Sequence, residues 1–201
     1  MIQFLVLFLL FLMTITVHEV SHGFVAYLRG DDTAHRLGRL TLNPFRHIDF
    51  FWTIFFPAFL LVVTGGRFAL GMAKPVPVNF SNLRRPRQDM VLVAVAGPIA
   101  NLIFAWFLAV WFHASGYGPF LYGIYLNLGL AFFNLIPVPP LDGSRILAAF
   151  LPKQWARVLD EIEPLGFLII MVLYAAGALF AFIMPAVNFF VSLLRLPPVT
   201  I

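Results

Sequence analysis

The sequence predicts an all-α polytopic membrane protein, a helical bundle with a re-entrant or extended hairpin near residues 50–80 and a broken helix at Leu141-Asp142-Gly143. Three observations carry this. Of 201 residues, 61% are hydrophobic and 11% charged, with a mean hydropathy of +0.93, against about 45–50% and about 25% in water-surrounded domains. Apolar runs able to cross about 30 Å of hydrocarbon recur along the chain. Prolines interrupt two apolar regions, at Pro75–Pro77 and Pro137–Pro140, where a helix cannot continue. No repeat or low-complexity segment marks a boundary, so residues 1–201 are expected to form a single transmembrane domain.

The first helix is expected over about Ile2–Leu28, ending where Arg29-Gly30-Asp31-Asp32 begins. It lacks the basic start and small-residue cleavage site of a signal peptide and reads as a retained span. Residues 50–66, FFWTIFFPAFLLVVTGG, are short for a span and contain Pro57. In residues 67–80, Pro75-Val76-Pro77-Val78 demands extended backbone, because each proline removes a donor and biases its predecessor away from helix. Two further spans are expected over about Met90–His113 and Phe120–Ile136, joined by the uncharged ASGYGP. Beyond PVPPLDGS a short helix runs to about Leu151, and PKQWARVLDEIEP is amphiphilic. The last apolar block, Leu165–Leu196, is expected to break at Pro185.

Charge sets the expected orientation. The net charge of +4 and pI near 9.9 do not point to a nucleic-acid partner, because the basic residues sit in loops beside apolar segments. Residues 29–49 hold four arginines and residues 67–89 five basic side chains, whereas 114–119 hold none. A re-entrant hairpin at 50–80 keeps both basic loops on the cytoplasmic side, with residues 114–119 outside and 138–163 inside. The expected setting is a multi-pass protein of the cell membrane, its site facing the cytoplasm.

Residues 18–22 read His-Glu-Val-Ser-His, inside the first apolar helix. A four-residue spacing puts His18 and His22 on one face, where both can offer imidazole nitrogens to one metal ion. With no cysteine in the chain, such a metal must use nitrogen and oxygen donors, which suits Zn²⁺. Glu19 lies beside that face, placed to take a proton from a water that the metal activates and to pass it to a leaving amine. With five His and three Glu among 201 residues, a chance HExxH is expected roughly 0.002 times, and ionisable groups inside a membrane usually mark function.

Catalytic zinc usually takes three protein ligands, and the candidate third is Asp142, at the proline break after the third span. Its competing reading is a helix N-cap before Gly-Ser-Arg-Ile-Leu. Asp31, Asp32, Asp49, Asp89, Asp160, Glu161 and Glu163 are expected in solvated loops, as are His35 and His47.

Taken together, HEVSH, AGPIAN at 96–101 and NLIPVPPLDG at 134–143 resemble the site-2 protease family of intramembrane zinc metallopeptidases, over roughly residues 5–150. GMAKPVPVN is similar to a segment of a compact prokaryotic branch, and the chain has room for neither a PDZ nor a CBS module. The resemblance implies one zinc per chain held by His18, His22 and Asp142, with Glu19 as general base and transmembrane proteins of the bilayer as substrates. It implies that Asn134 binds the substrate or its oxyanion, although a helix–helix hydrogen bond is an equal reading. Asn101 is read as a packing or kink feature. The extended KPVPV could pair with an unwound substrate strand, or pack as a stiff loop on the first helix. Two other functions fit a membrane bundle: a catalytically silent binder of transmembrane segments, disfavoured by the intact Glu19, and a small metal-handling transporter, disfavoured by the apolar C-terminal block.

Overall fold

A computed structural model describes residues 2–66 and 74–198. Helix α1 spans Ile2–Leu28, as expected, and ends at Gly30, whose φ of 111° a side chain would resist. The single turn α2, Thr33–Arg36, follows. Phe50–Phe55 then wind as a π-helix that runs into α3, Phe56–Val63. Pro57 sits in the first turn of α3, where a missing N–H costs nothing. These six- and eight-residue pieces rise about 1.5 Å per residue, which falls short of the hydrocarbon thickness.

Residues 74–79 are extended, as the prolines demand, and there is no strand among the described residues; the part of that expectation on residues 67–73 lies outside them. Helix α4 covers Pro86–Ser115. It begins four residues before the expected Met90, because Pro86 is suited to the first turn. It ends where Gly116 adopts φ 65°. Helices α5, Gly118–Asn134, α6, Asp142–Phe150, and α7, Lys153–Ile162, follow the predicted order. The C-terminal block is α8, Gly166–Ala175, and α9, Ala178–Leu193. Its break differs from expectation: the chain bends by 76° at Ala176–Gly177, where Gly177 has φ 74°, and Pro185 is accommodated within α9.

The bundle centre is α1, α4 and α5. His22 meets Val93 and His18 meets Asn101, so α1 and α4 run antiparallel. Thr14 meets Asn127 while Leu10 lies against Gly123, so α5 runs parallel to α1. Small residues let these backbones approach: a Cβ on Gly123 would lie 2.9 Å from Leu108 and 3.3 Å from Leu10. Helix α9 adds Val187 and Val191 to a core of Ala105, Leu108, Ala109, Ile124 and Leu128. A second core joins Ile136 and Leu141 to Ile170 of α8 and Leu179 of α9. In lipid such packing is driven by van der Waals fit and buried hydrogen bonds more than by the hydrophobic effect.

Residues Leu5–Leu28 of α1 and all of α4 are long and apolar enough to cross a membrane, and residues 153–193 form a third candidate if the bent pair counts as one span. Phe24, Phe59, Val62, Ile103, Trp106, Trp111, Phe182 and Phe189 point outward, a surface that suits lipid and not water.

Two acids expected in solvent are buried. Asp31 accepts from Thr33 N and Oγ1, Asn79 N and Asn82 Nδ2. Burial alone would raise its carboxyl, and the hydrogen bonds from Thr33, Asn82 and Asn79 outweigh that and hold it below its ordinary value. Asp89 caps the start of α4 by accepting from Arg85 N, with Arg29 Nε 3.6 Å away. His47 is also buried and not solvated, with Nε2 donating to Thr41 O. His35 is exposed, as expected.

Candidate metal centre

The local pitch of α1 delivers the first two groups. His18 and His22 point toward α4 from successive turns, and their Nε2 atoms lie 3.1 Å apart. A Cβ on Gly97 would overlap His22 Nε2 and both Cε1 and Nε2 of His18. The glycine of AGPIAN is therefore the surface on which the two imidazoles rest.

The third group comes from a segment 120 positions further along. Asp142 opens α6, reached through the proline turn after α5, and Gly143 lets that turn close, since a Cβ there would strike the Leu135 and Ile136 carbonyls. Its Oδ2 lies 3.3 Å from each Nε2. The N-cap reading of Asp142 is not realised: Leu141 occupies the cap, and Asp142 makes no side-chain cap hydrogen bond. Its Oδ2 is buried with no hydrogen-bond donor.

The far side of each imidazole is committed. His18 Nδ1 lies 2.6 Å from Asn101 Oδ1, and His22 Nδ1 lies 2.7 Å from Val93 O. Both partners are acceptors, so both Nδ1 atoms carry a proton, and in the neutral rings both Nε2 atoms present lone pairs. Three lone-pair atoms thus converge within 3.1–3.3 Å, an arrangement that repels itself unless a cation sits among them. Tetrahedral ligands about 2.0–2.1 Å from zinc are spaced about 3.3–3.4 Å from one another. The donor set, the spacing and the buried unpartnered oxygen fit zinc.

Glu19, between the two histidines in sequence, accepts at Oε2 from the backbone N–H of Val76, 2.9 Å away. The strap that carries Val76 is pinned along its length: Lys74 N donates to His47 O, Arg39 donates to Lys74 O, and Asn79 N donates to Asp31. Val76 itself is buried, and a Cβ on Gly23 would come 2.5 Å from its Cγ1. KPVPV is thus a stiff segment packed on α1.

Asn134 ends α5, and its Nδ2 donates to Leu130 O of the same helix; no described hydrogen bond joins it to His18, Glu19, His22 or Asp142. Sequence reasoning gave Val93, Gly97 and Asn127 no part in the site; it read the KPVPV run that contains Val76 as a substrate-pairing strand or a stiff loop, and Asn101 as packing or kink. Asn101 instead holds a histidine. The signal available for Asn101 and Asn127 was a polar residue within an apolar span. A backbone carbonyl or N–H carries none.

Comparisons with known proteins bear on this geometry. The model of peptidase family M50 matches residues 6–118 and 112–175. A Bacillus subtilis protein named "putative zinc metalloprotease YwhC" is 42% identical over 177 residues, 81% of this chain and 77% of that protein. The "putative zinc metalloprotease Rip2" of Mycolicibacterium smegmatis is 31% identical over 84% of this chain and 66% of its own length. The "zinc metalloprotease MJ0392" of Methanocaldococcus jannaschii is 28% identical over 75% of this chain, which spans 35% of that protein. No solved structure matches the chain.

Proposed function

Because the chain belongs to peptidase family M50, the site-2 protease family, we propose that it is an intramembrane zinc endopeptidase that hydrolyses peptide bonds in or near transmembrane segments of membrane-protein substrates. The observation that carries the reading is the convergence of His18 Nε2, His22 Nε2 and Asp142 Oδ2, each 3.1–3.3 Å from the others. These three residues would hold one zinc. When bound, zinc supplies Lewis acidity that makes water a nucleophile near neutral pH.

The remaining work falls to the protein. Glu19 is the general base. Its Oε2 is held by Val76 N–H, which leaves Oε1 to accept a proton from the attacking water and return it to the departing amine. Val93 O and Asn101 Oδ1 keep the imidazoles aimed inward. Gly97 keeps the space between α1 and α4 open for them. Asn134 is assigned the substrate carbonyl, where an amide N–H can stabilise developing negative charge; that role requires its amide to leave Leu130 O. The site faces the cytoplasm, with residues 29–89 on that side. His22 and His18 lie seven and eleven residues from Arg29, roughly 10 and 16 Å at about 1.5 Å per residue, close to an aqueous boundary.

Purified wild type and two variants in detergent test the reading. Wild type is expected to bind one zinc and cleave transmembrane peptides. Glu19→Gln should keep the zinc and lose cleavage, whereas Asp142→Ala should lose both. A Glu19→Gln protein that still cleaves contradicts the assigned base, and full zinc in Asp142→Ala removes the third ligand.

A further inference from the structure

Beneath His18 lies a buried chain of polar side chains of which the chemistry above uses only Asn101. Thr14, Asn101 and Asn127 are each 0% exposed and come from α1, α4 and α5. Asn127 Nδ2 donates to Gly123 O at 2.8 Å and to Thr14 Oγ1 at 2.9 Å. Asn101 Nδ2 donates to Asn127 Oδ1 at 2.8 Å and to Thr14 O at 3.3 Å. Asn101 Oδ1 then meets His18 Nδ1 at 2.6 Å.

The two ends of an amide are nearly alike in shape, so its partners decide which end points where. Here the chain of decisions starts from atoms with no choice. The Gly123 carbonyl can only accept, so Asn127 turns its NH₂ toward it and its Oδ1 toward α4. Asn101 then faces two acceptors, Asn127 Oδ1 and the Thr14 carbonyl, and must give both its NH₂. That leaves Oδ1 for His18, whose Nδ1 must carry the hydrogen and whose Nε2 is left bare. Were Asn101 reversed, its oxygen would face two oxygens, its NH₂ would face Nδ1, and the His18 hydrogen would move to Nε2, pointing at His22 and Asp142. His22 needs no such relay, because the Val93 carbonyl sets it directly.

We infer that the Gly123–Asn127–Asn101 relay, with Thr14 as its second anchor, is a positioning device that writes the metal-binding tautomer of His18 from the far side of α5. Asn127 touches no ligand, yet it controls zinc affinity through Asn101. The inference rests on the zinc reading of His18, His22 and Asp142.

The experiment uses the full chain in detergent, with zinc affinity measured by chelator competition and the metal-free His18 tautomer read by ¹⁵N-histidine NMR. Wild type must first bind zinc; if it does not, the zinc reading itself falls and takes the relay's purpose with it. Given wild-type binding, Asn101→Leu and Asn127→Leu should each weaken zinc by about 10–100-fold, the usual effect of losing an outer-shell partner. Asn127→Leu should also shift His18 from Nδ1–H toward Nε2–H. Asn127→Asp keeps an oxygen facing the Asn101 NH₂, and the Thr14 hydroxyl can turn to donate to its second oxygen, so zinc affinity should stay within about threefold of wild type and His18 should stay Nδ1–H. Wild-type affinity and tautomer in Asn127→Leu overturn the relay. So does an Asn127→Asp as weak as Asn127→Leu, which would mark simple helix packing. Should a leucine variant fail to fold, the zinc affinity and His18 tautomer of the near-isosteric Asn127→Asp still decide.

Discussion

The backbone N–H of Val76 donates to Oε2 of Glu19 at 2.9 Å, joining residues 57 positions apart. Val76 stands between Pro75 and Pro77, which cannot donate, so this N–H is the one that the three-residue run can offer. Val76→Pro removes it while leaving the extended backbone of the strap intact. Cleavage is expected to fall by about tenfold or more, a part of the roughly 10²–10⁴ that a positioned base supplies. Zinc content should not change. A proline variant that cleaves like wild type would show that Glu19 needs no such support.

Gly97 offers a test of the close approach between α4 and the histidines. In an ordinary helix interior, Gly→Ala stabilises by about 0.5–1 kcal/mol. Here the added methyl meets the rings of His18 and His22. Gly97→Ala is therefore expected to weaken zinc by roughly 10–100-fold, as misdirected ligands do. Chelator competition reads this, and zinc bound at wild-type strength would mean that α4 can retreat.

Asp31 ties the strap to the end of α1. In Asp31→Asn one acceptor oxygen becomes a donor; with the amide NH₂ placed at the Oδ2 position, Thr33 and Asn82 keep their acceptor and the Asn79 N–H loses its own, a loss of about 1–3 kcal/mol. The pH dependence follows from the lowered carboxyl. The stability it contributes is present above the unfolded value of 3.8 and is lost as pH falls through the lower folded one. Thermal melts of wild type and Asp31→Asn in detergent should differ near neutrality and converge under strong acid; a gap that stays constant would place the effect elsewhere.

The orientation is open to single-cysteine labelling, because the chain has no cysteine of its own. Ser81 and Ser115 are exposed and flank α4 on its two ends. Ser81→Cys should react only with reagent on the cytoplasmic side, and Ser115→Cys only from the opposite side. Reaction of both from one side would refute the arrangement.

Much of the bundle was legible because membrane helices must satisfy their backbone internally, so apolar length translates directly into structure. The bounds of α1 and the order of α4 to α7 followed from apolar runs and proline breaks. The bend at Gly177 was not read, because α9 absorbs Pro185. The sequence places Asp31 and Asp89 among solvated acids, and both are buried. Asn79 and Asn82, which bury Asp31, lie 48 and 51 positions away, and Arg29, beside Asp89, is 60 away. Isolating Asp142 by elimination thus rested on a partly mistaken premise. What distinguishes it is that its buried oxygen has no donor, whereas the buried carboxylates of Asp31 and Asp89 do.

By itself the sequence determined that a histidine pair and a glutamate lie one turn apart in an apolar helix, because helical pitch depends only on neighbours in the chain. Tertiary structure alone decided that Asp142 closes the triangle, that Val76 holds Glu19, and that Asn101 faces His18 and not lipid. Those outcomes depend on which helix faces meet and how closely, and that is settled by glycines, carbonyls and amides whose partners lie tens of residues away.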